Sequence, residues 1–414
     1  MTLLLLALAS GVLAACAIPA LRPLMRRYAM ARPNARSSHV VPTPQGAGIA
    51  IVGAMVVTCL AAFGLGAVPV EGWRLGVVLA ALVGLGLVGW RDDIRPMAVA
   101  PRLALQTLAV VAVVAGLPQG QRILPGLVPG EIEWVLLVLA GVWVVNLTNF
   151  MDGIDWMTVA EIVPFAAGAW ILVALGAAPL LAGLVAAPLL GAMLAVAPFN
   201  LPGTRALKVF LGDVGSLPIG LAVFAIAALV AREGHLASAL LLGMYYLADA
   251  TLTLARRAAK RQPVWEAHRE HFYQRATAAG LGVPGVIARV AGVNLVLVVL
   301  AVLAGLARPR SVSLASTAAA SAAKAARVAP RSLGRAAARR TPPVPVATGG
   351  SSPWNSSSNS FSPGLSPVIA IFTSMSGRLP ARRIIWRARS TIRIGGPISR
   401  TKMRPRNASE VVPA

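Results

Sequence analysis

Apolar stretches long enough to cross a bilayer recur from the N-terminus to about residue 306. A chain built this way must satisfy its backbone polar groups inside lipid, which leaves helices or a closed barrel. The runs are continuous and do not alternate, which predicts helices and argues against a transmembrane β-barrel. Of the 414 residues, 57% are hydrophobic and 13% charged, about half the charged share of an average soluble chain. Crossings are expected at about 3–21, 45–66, 74–90, 103–117, 132–147, 157–175, 177–197, 214–231, 237–254 and 284–306. The expected fold is therefore all-α, a polytopic integral membrane protein of about ten transmembrane helices.

Five polar clusters interrupt this pattern. They are Ser37-Ser38-His39 with Pro42-Thr43-Pro44, then Asp92-Asp93, then Asn149 to Asp155, then Phe210-Leu211-Gly212-Asp213, and last His268-Arg269-Glu270-His271. Two expected crossings separate each cluster from the next, so all five fall on one side. With Arg289 at the mouth of the last helix, that side holds 17 of the 22 basic residues before position 311. The positive-inside rule makes it cytoplasmic and puts the N-terminus outside. A carboxylate beside hydrocarbon costs several kcal/mol, on the order of 3, unless it has a use. Five loops meeting at one membrane face are read as one cytoplasmic-face active site.

The net charge of +24 belongs largely to a tail. Residues 311–414 carry 16 basic side chains against one acid, Glu410, and are rich in Ser, Ala and Pro. Such a segment buries too little apolar surface to offset chain entropy, and disorder is expected. The expected division is a multi-span membrane domain over 1–310 and a low-complexity basic tail over 311–414, dispensable for activity. Without interleaved aromatics or a binding motif, the tail is not read as a nucleic-acid module. Leu13-Ala14-Ala15-Cys16 resembles a lipoprotein cleavage site, but no Lys or Arg precedes it, so a first transmembrane helix is expected. Cys16 and Cys59 lie inside expected helices and read as small apolar residues.

The chemistry of each cluster can be read from its residue types. Paired carboxylates at a helix end, Asp92-Asp93, can bind a hard cation or position a base. The i,i+3 spacing of Asn149, Asp152 and Asp155 would put three polar groups on one helical face, with Gly153 allowing close approach. Lys208, then Asp213 just ahead of a span, combine a cation, a Mg²⁺-type ligand and a helix start suited to phosphate. His268 and His271 share a helical spacing with Arg275, and Arg269 stands beside them. With no third ligand at fixed spacing, anion binding fits that run better than zinc.

Taken together these motifs resemble the polyprenyl-phosphate N-acetylhexosamine-1-phosphate transferases, the superfamily that includes the phospho-MurNAc-pentapeptide translocase. The resemblance covers about residues 1–308. It rests on Arg36-Ser37-Ser38-His39 with Pro42-Thr43-Pro44, on Asp92-Asp93 followed by Arg102 and Gln106, and on Asn149 to Asp155. Phe199-Asn200 with Phe210 to Ser216, and the run from His268 to Arg275, complete it. That last run is closer to the O-antigen and glycan-initiating branch than to the translocase. Two departures stand out: Gln45-Gly46-Ala47-Gly48 where relatives often carry Arg and three glycines, and Trp156 where a Gly commonly follows the second Asp.

The resemblance implies transfer of a sugar-1-phosphate from a UDP-N-acetylhexosamine to undecaprenyl phosphate at a bacterial cytoplasmic membrane, releasing UMP. It implies a Mg²⁺-dependent enzyme, with Mn²⁺ as an alternative ion and a homodimer as an expected assembly. Asp92, Asp93, Asp152 and Asp213 are the expected catalytic residues, with the metal on Asp213 and Asp92 or Asp152 as its partner. His39, Asn149, Asp155, Lys208, His268, Arg269, His271 and Arg275 are the expected substrate-binding residues. A phosphate monoester has its second pKa near about 6, so the acceptor needs little help from a base. The aspartate pair is therefore expected to position metal and acceptor; direct attack and a phospho-enzyme at Asp152 both stay open. A transporter of lipid-linked sugars is the rival reading, but it would place charges at mid-bilayer within broken helices.

Overall fold

The computed structural model describes residues 1–31, 42–118, 121–203, 207–263 and 268–307. His39 and the tail over 311–414 lie outside the described residues. The described chain is almost wholly helical: α1 (Thr2–Tyr28), α2 (Gly48–Gly64), α3 (Gly72–Ile94), α4 (Val99–Gly116), α5 (Gly130–Met151), α6 (Met157–Ala174), α7 (Leu180–Val196), α8 (Asp213–Arg232), α9 (Leu236–Leu242), α10 (Met244–Ala259), α11 (Phe272–Ala278) and α12 (Val283–Ala307). Two short strands, β1 (Met30–Ala31) and β2 (Thr43–Pro44), pair antiparallel. All described elements belong to the first of two compact units, Met1–Arg340.

Eight of the helices among the described residues are long and apolar enough to cross a membrane, and nine crossings result if α9 and α10 form one bent span. About ten crossings were expected, and two segments account for the lower count of long apolar helices. Helix α2 has 17 residues, at the lower end of the roughly 17–25 that span a hydrocarbon core. The segment expected to run straight over 237–254 breaks at Gly243 and bends by 74°. Beyond that break α10 carries Asp249, Thr253, Arg256 and Arg257, which do not suit a straight run through hydrocarbon.

Helix α8 is the axis of the bundle. Its apolar window is 94% buried, against 22% for α1 and 28% for α4 and α12, which face outward. It packs on α2, α3, α5, α6, α7 and α9. Lipid tails are as apolar as leucine, so helices associate by close fit, and small residues permit it. Gly191 of α7 lies so close to the Ala7 carbonyl of α1 that a Cβ there would overlap it. Gly89 of α3 likewise lies against the Asp213 carbonyl at the start of α8.

Gly191→Val should therefore lower the thermal stability of the detergent-purified protein by about 1–3 kcal/mol, the usual cost of overpacking. Gly53→Val, at a helical glycine with nothing within 4 Å of its added Cβ, is the control and should change little.

Candidate active site

The site is assembled at the first turn of α8. Asp93, at the C-terminal end of α3, accepts the Asp213 N–H on Oδ1 and the Val214 N–H on Oδ2, both at 3.0 Å. A helix start leaves its first N–H groups without intrahelical partners, and a carboxylate there satisfies them and complements the helix dipole. Gly212 makes this possible: its φ is +73°, and a Cβ would strike the Asp93 carboxylate. Gln45 donates to the same carboxylate at 3.3 Å. The stretch from Pro44 to Gly48 is laced to Phe210 and Leu211 by backbone bonds of 2.8–3.1 Å.

Asp213, thus placed, accepts Asn149 Nδ2 at 2.8 Å on Oδ1, and its Oδ2 lies 3.4 Å from Arg102. Arg102 also pairs with Asp92 at 2.8 Å, so one guanidinium draws two carboxylates together. Asn149 reaches Ser216 at 2.8 Å, joining α5 to α8. Asp155 pairs with Lys208 at 2.5 Å, and Lys208 lies 5.5 Å from the centre of the Phe210 ring. Asn200 accepts the Trp156 N–H at 2.7 Å and donates to the Val209 carbonyl at 3.0 Å, holding the two loops together.

Asp93, Asn149, Asp152, Asp155, Lys208 and Asp213 all line one pocket of about 460 Å³. Asp92 stands behind Asp213. The helical face expected for Asn149, Asp152 and Asp155 does not form, because α5 ends at Met151. Asp152 and Asp155 lie in the turn that follows, yet the turn aims them at the same pocket. That turn needs a left-handed residue before α6, and Trp156 fills it with φ +64°. Glycine is the residue that adopts this conformation most readily. Here the indole instead donates to the Ala197 carbonyl at 2.6 Å.

The run at 268–275 is placed differently from the expectation. Helix α11 begins only at Phe272, so His268 and His271 precede it and share no helical face with Arg275. His271 is 3% exposed and bound to Asp249, and no residue of the run is among those lining the pocket. Arg269 and Arg275 are exposed. Burial, then the nearby His271 and Arg257, push the His268 pKa down to about 4, so at neutral pH it offers a hydrogen bond but no charge.

Several residues in or near the site carried no role from sequence: Gln45, Arg102, Asn200 and Ser216, which stood only within the quoted motifs, and Asp249, which was not singled out at all. A carboxylate inside the apolar stretch from Tyr245 to Leu254 was the available signal for Asp249.

Residues 75–231 match the glycosyl transferase family 4 model. The matched segment contains Asp92, Asp93, Arg102, Asn149, Asp152, Asp155, Lys208 and Asp213, and ends before α9. The chain is also similar to the phospho-N-acetylmuramoyl-pentapeptide-transferase of Bacillus thuringiensis, 29% identical over 212 residues, covering 46% of this chain and 62% of that protein. The enzyme of the same name from Bacillus cytotoxicus is 27% identical over 212 residues with the same coverage. The chain thus spans about 62% of the length of these curated relatives.

Burial pushes the Asp152 pKa up to about 6; the Thr158 hydroxyl bonded to it works against the shift, and the Asp155 charge adds to it. A carboxyl held above its unfolded value of 3.8 favours the folded state most at low pH, and that contribution is lost as pH rises through about 6. In chelator-treated protein, Asp152→Asn should melt at a higher temperature than wild type above pH 6, by up to about 3 kcal/mol at 1.36 kcal/mol per pKa unit. Thermal melts from pH 4 to 7 check this: the gap between variant and wild type should open as pH rises.

Proposed function

We propose that this pocket transfers an N-acetylhexosamine-1-phosphate from a UDP-sugar to undecaprenyl phosphate, giving the lipid diphosphate sugar and UMP. The observation that carries the reading is convergence: carboxylates from three separate segments, 92–93, 152–155 and 213, meet around one polar pocket. Four carboxylates, Asp93, Asp152, Asp155 and Asp213, and one cation, Lys208, line it, with the Asp92–Arg102 pair adjoining through Asp213. A surplus of negative charge repels a diphosphate unless a cation stands between them.

Among the described residues no group of three or more His, Cys, Asp or Glu side chains forms a ready ion cage. Mg²⁺ does not need one: it is commonly bound by one or two carboxylates and completes its shell with water and substrate phosphate. Hard carboxylate oxygens at Asp213, with Asp92 or Asp152, fit that ion, with Mn²⁺ as a substitute. The bound ion would neutralise charge on the phosphates.

The protein's own groups then have distinct tasks. Asn149 and Arg102 hold the Asp213 carboxylate in place from two sides. Lys208, paired to Asp155, offers the donor a cation at the pocket wall beside an aromatic ring. A largely apolar cavity of about 260 Å³, walled in part by Leu136, Trp143, Leu147, Phe165 and Phe224, runs along α5 from Glu133 to Thr148. Thr148 lines this cavity and the adjacent Asn149 lines the polar pocket. A lipid acceptor that keeps its hydrocarbon in the former can present its phosphate to the latter. The basic loops argue for a cytoplasmic-facing pocket in a bacterial inner membrane, initiating a cell-envelope glycan.

Membranes containing the full chain, incubated with Mg²⁺, undecaprenyl phosphate and a panel of UDP-N-acetylhexosamines, should release UMP with at least one donor. Asp213→Asn should reduce that release by about a hundredfold to a thousandfold, comparable to removing a main electrostatic stabiliser. No release with any donor, or near-normal activity of Asp213→Asn at saturating Mg²⁺, contradicts the reading.

A further inference from the structure

Asp249 is fully buried in α10, past the bend at Gly243, and has no part in the pocket. Its carboxylate is nonetheless the most heavily bonded acid described. Oδ1 meets His271 Nδ1 at 3.1 Å, the Phe272 N–H at 3.0 Å and the Thr253 hydroxyl at 3.3 Å. Oδ2 accepts the Tyr273 N–H at 3.4 Å and the Tyr245 hydroxyl at 3.5 Å. A buried carboxylate so fully satisfied is costly to disturb, and it fixes whatever it binds. Here it fixes the start of α11.

What α11 carries next is Tyr273, 1% exposed. Its ring lies nearly parallel to that of His271, with centroids 5.9 Å apart. Its hydroxyl donates to the Phe150 carbonyl at 3.3 Å and occupies the space a Cβ on Gly153 would fill. Asp152 lies between these two contact points, in a turn where α5 has already ended. A second tie reinforces the first, since Arg257 of α10 is ion-paired to Glu270 just ahead of α11.

We infer that Asp249 is a positioning residue that acts through Tyr273 of α11 to set the place of Asp152 in the pocket. This rests on the transfer reaction proposed above. The buried acid belongs to the bent segment, so the bend is joined mechanically to the loop that presents the carboxylate. His271 is then a strut between Asp249 and Tyr273, which explains its burial better than direct contact with phosphate does.

The test uses the full chain in lipid nanodiscs, with Asp249→Asn and Tyr273→Phe compared with wild type. Hydrogen–deuterium exchange over 149–156 should rise by about tenfold in both variants while the other helices keep their protection. In activity assays the half-saturating Mg²⁺ concentration should rise by about tenfold, the usual cost of losing a group that orients a metal ligand. A loss of folded protein would lower the rate and leave that concentration unmoved. Gly153→Ala should be impaired for the same reason, and Tyr273→Phe, by deleting the hydroxyl its Cβ meets, should partly restore it. If Asp249→Asn does not fold, Tyr273→Phe decides the matter, since it deletes a single oxygen. Unchanged exchange at 149–156, or an unmoved Mg²⁺ dependence in active protein, overturns the inference. A wild type that releases no UMP defeats the functional reading instead, and the exchange result still decides this one.

Discussion

One carboxylate holds the site together. Asp93 ends one helix and caps another, taking the first two N–H groups of α8 across 120 residues of sequence. Remove that interaction and the start of α8 loses its partners in a setting where water cannot easily replace them. Asp213 is the first residue of α8, so its place depends on the cap. Gly89 and Gly212 are the steric conditions for it: a side chain at the first would meet the Asp213 carbonyl, and one at the second would meet Asp93 itself. Asn149, Ser216 and Arg102 then converge on a helix end already fixed.

The cap also separates the two adjacent aspartates by task. Asp92 turns toward Arg102 and the Met97 N–H, while Asp93 turns inward to α8. Neighbouring residues on a helix face different directions, and α3 uses both. Within that frame the pocket keeps more carboxylates than cations, which suits an ion shared with a phosphate better than it suits a phosphate alone.

Much of this was legible in the sequence, because lipid imposes a simple grammar. Apolar runs give helices, and all ten expected segments are helical, with polar clusters between them. Crossing counts were less legible. Past the break at Gly243, Asp249 is satisfied by His271 and the start of α11, a contact between segments that no local pattern announces. Asp92, Asp93, Asn149, Asp152, Asp155, Lys208 and Asp213 could be singled out because charge is rare in such a chain. Their partners could not. Gln45 and Ser216 stood in the quoted motifs without a role, because their bonds exist only once α3, α5 and α8 meet. The helical spacing read into Asn149, Asp152 and Asp155 failed because α5 ends at Met151, and the turn that follows closes on Trp156 in a left-handed conformation that a tryptophan rarely adopts. The spacing at 268–275 failed because Asp249 starts α11 at Phe272.

The claim on which the account turns is that, in the proposed transfer, Asp93 serves by capping α8 and not by taking a proton from the acceptor. The rate of UMP release by Asp93→Asn, followed from neutral to mildly alkaline pH, tests it most directly. A phosphate monoester is already largely ionised there, so the account predicts a loss of rate that stays constant across the range, relative to wild type. A recovery of the variant toward the wild-type rate as pH rises would show that a base had been removed, and would contradict it.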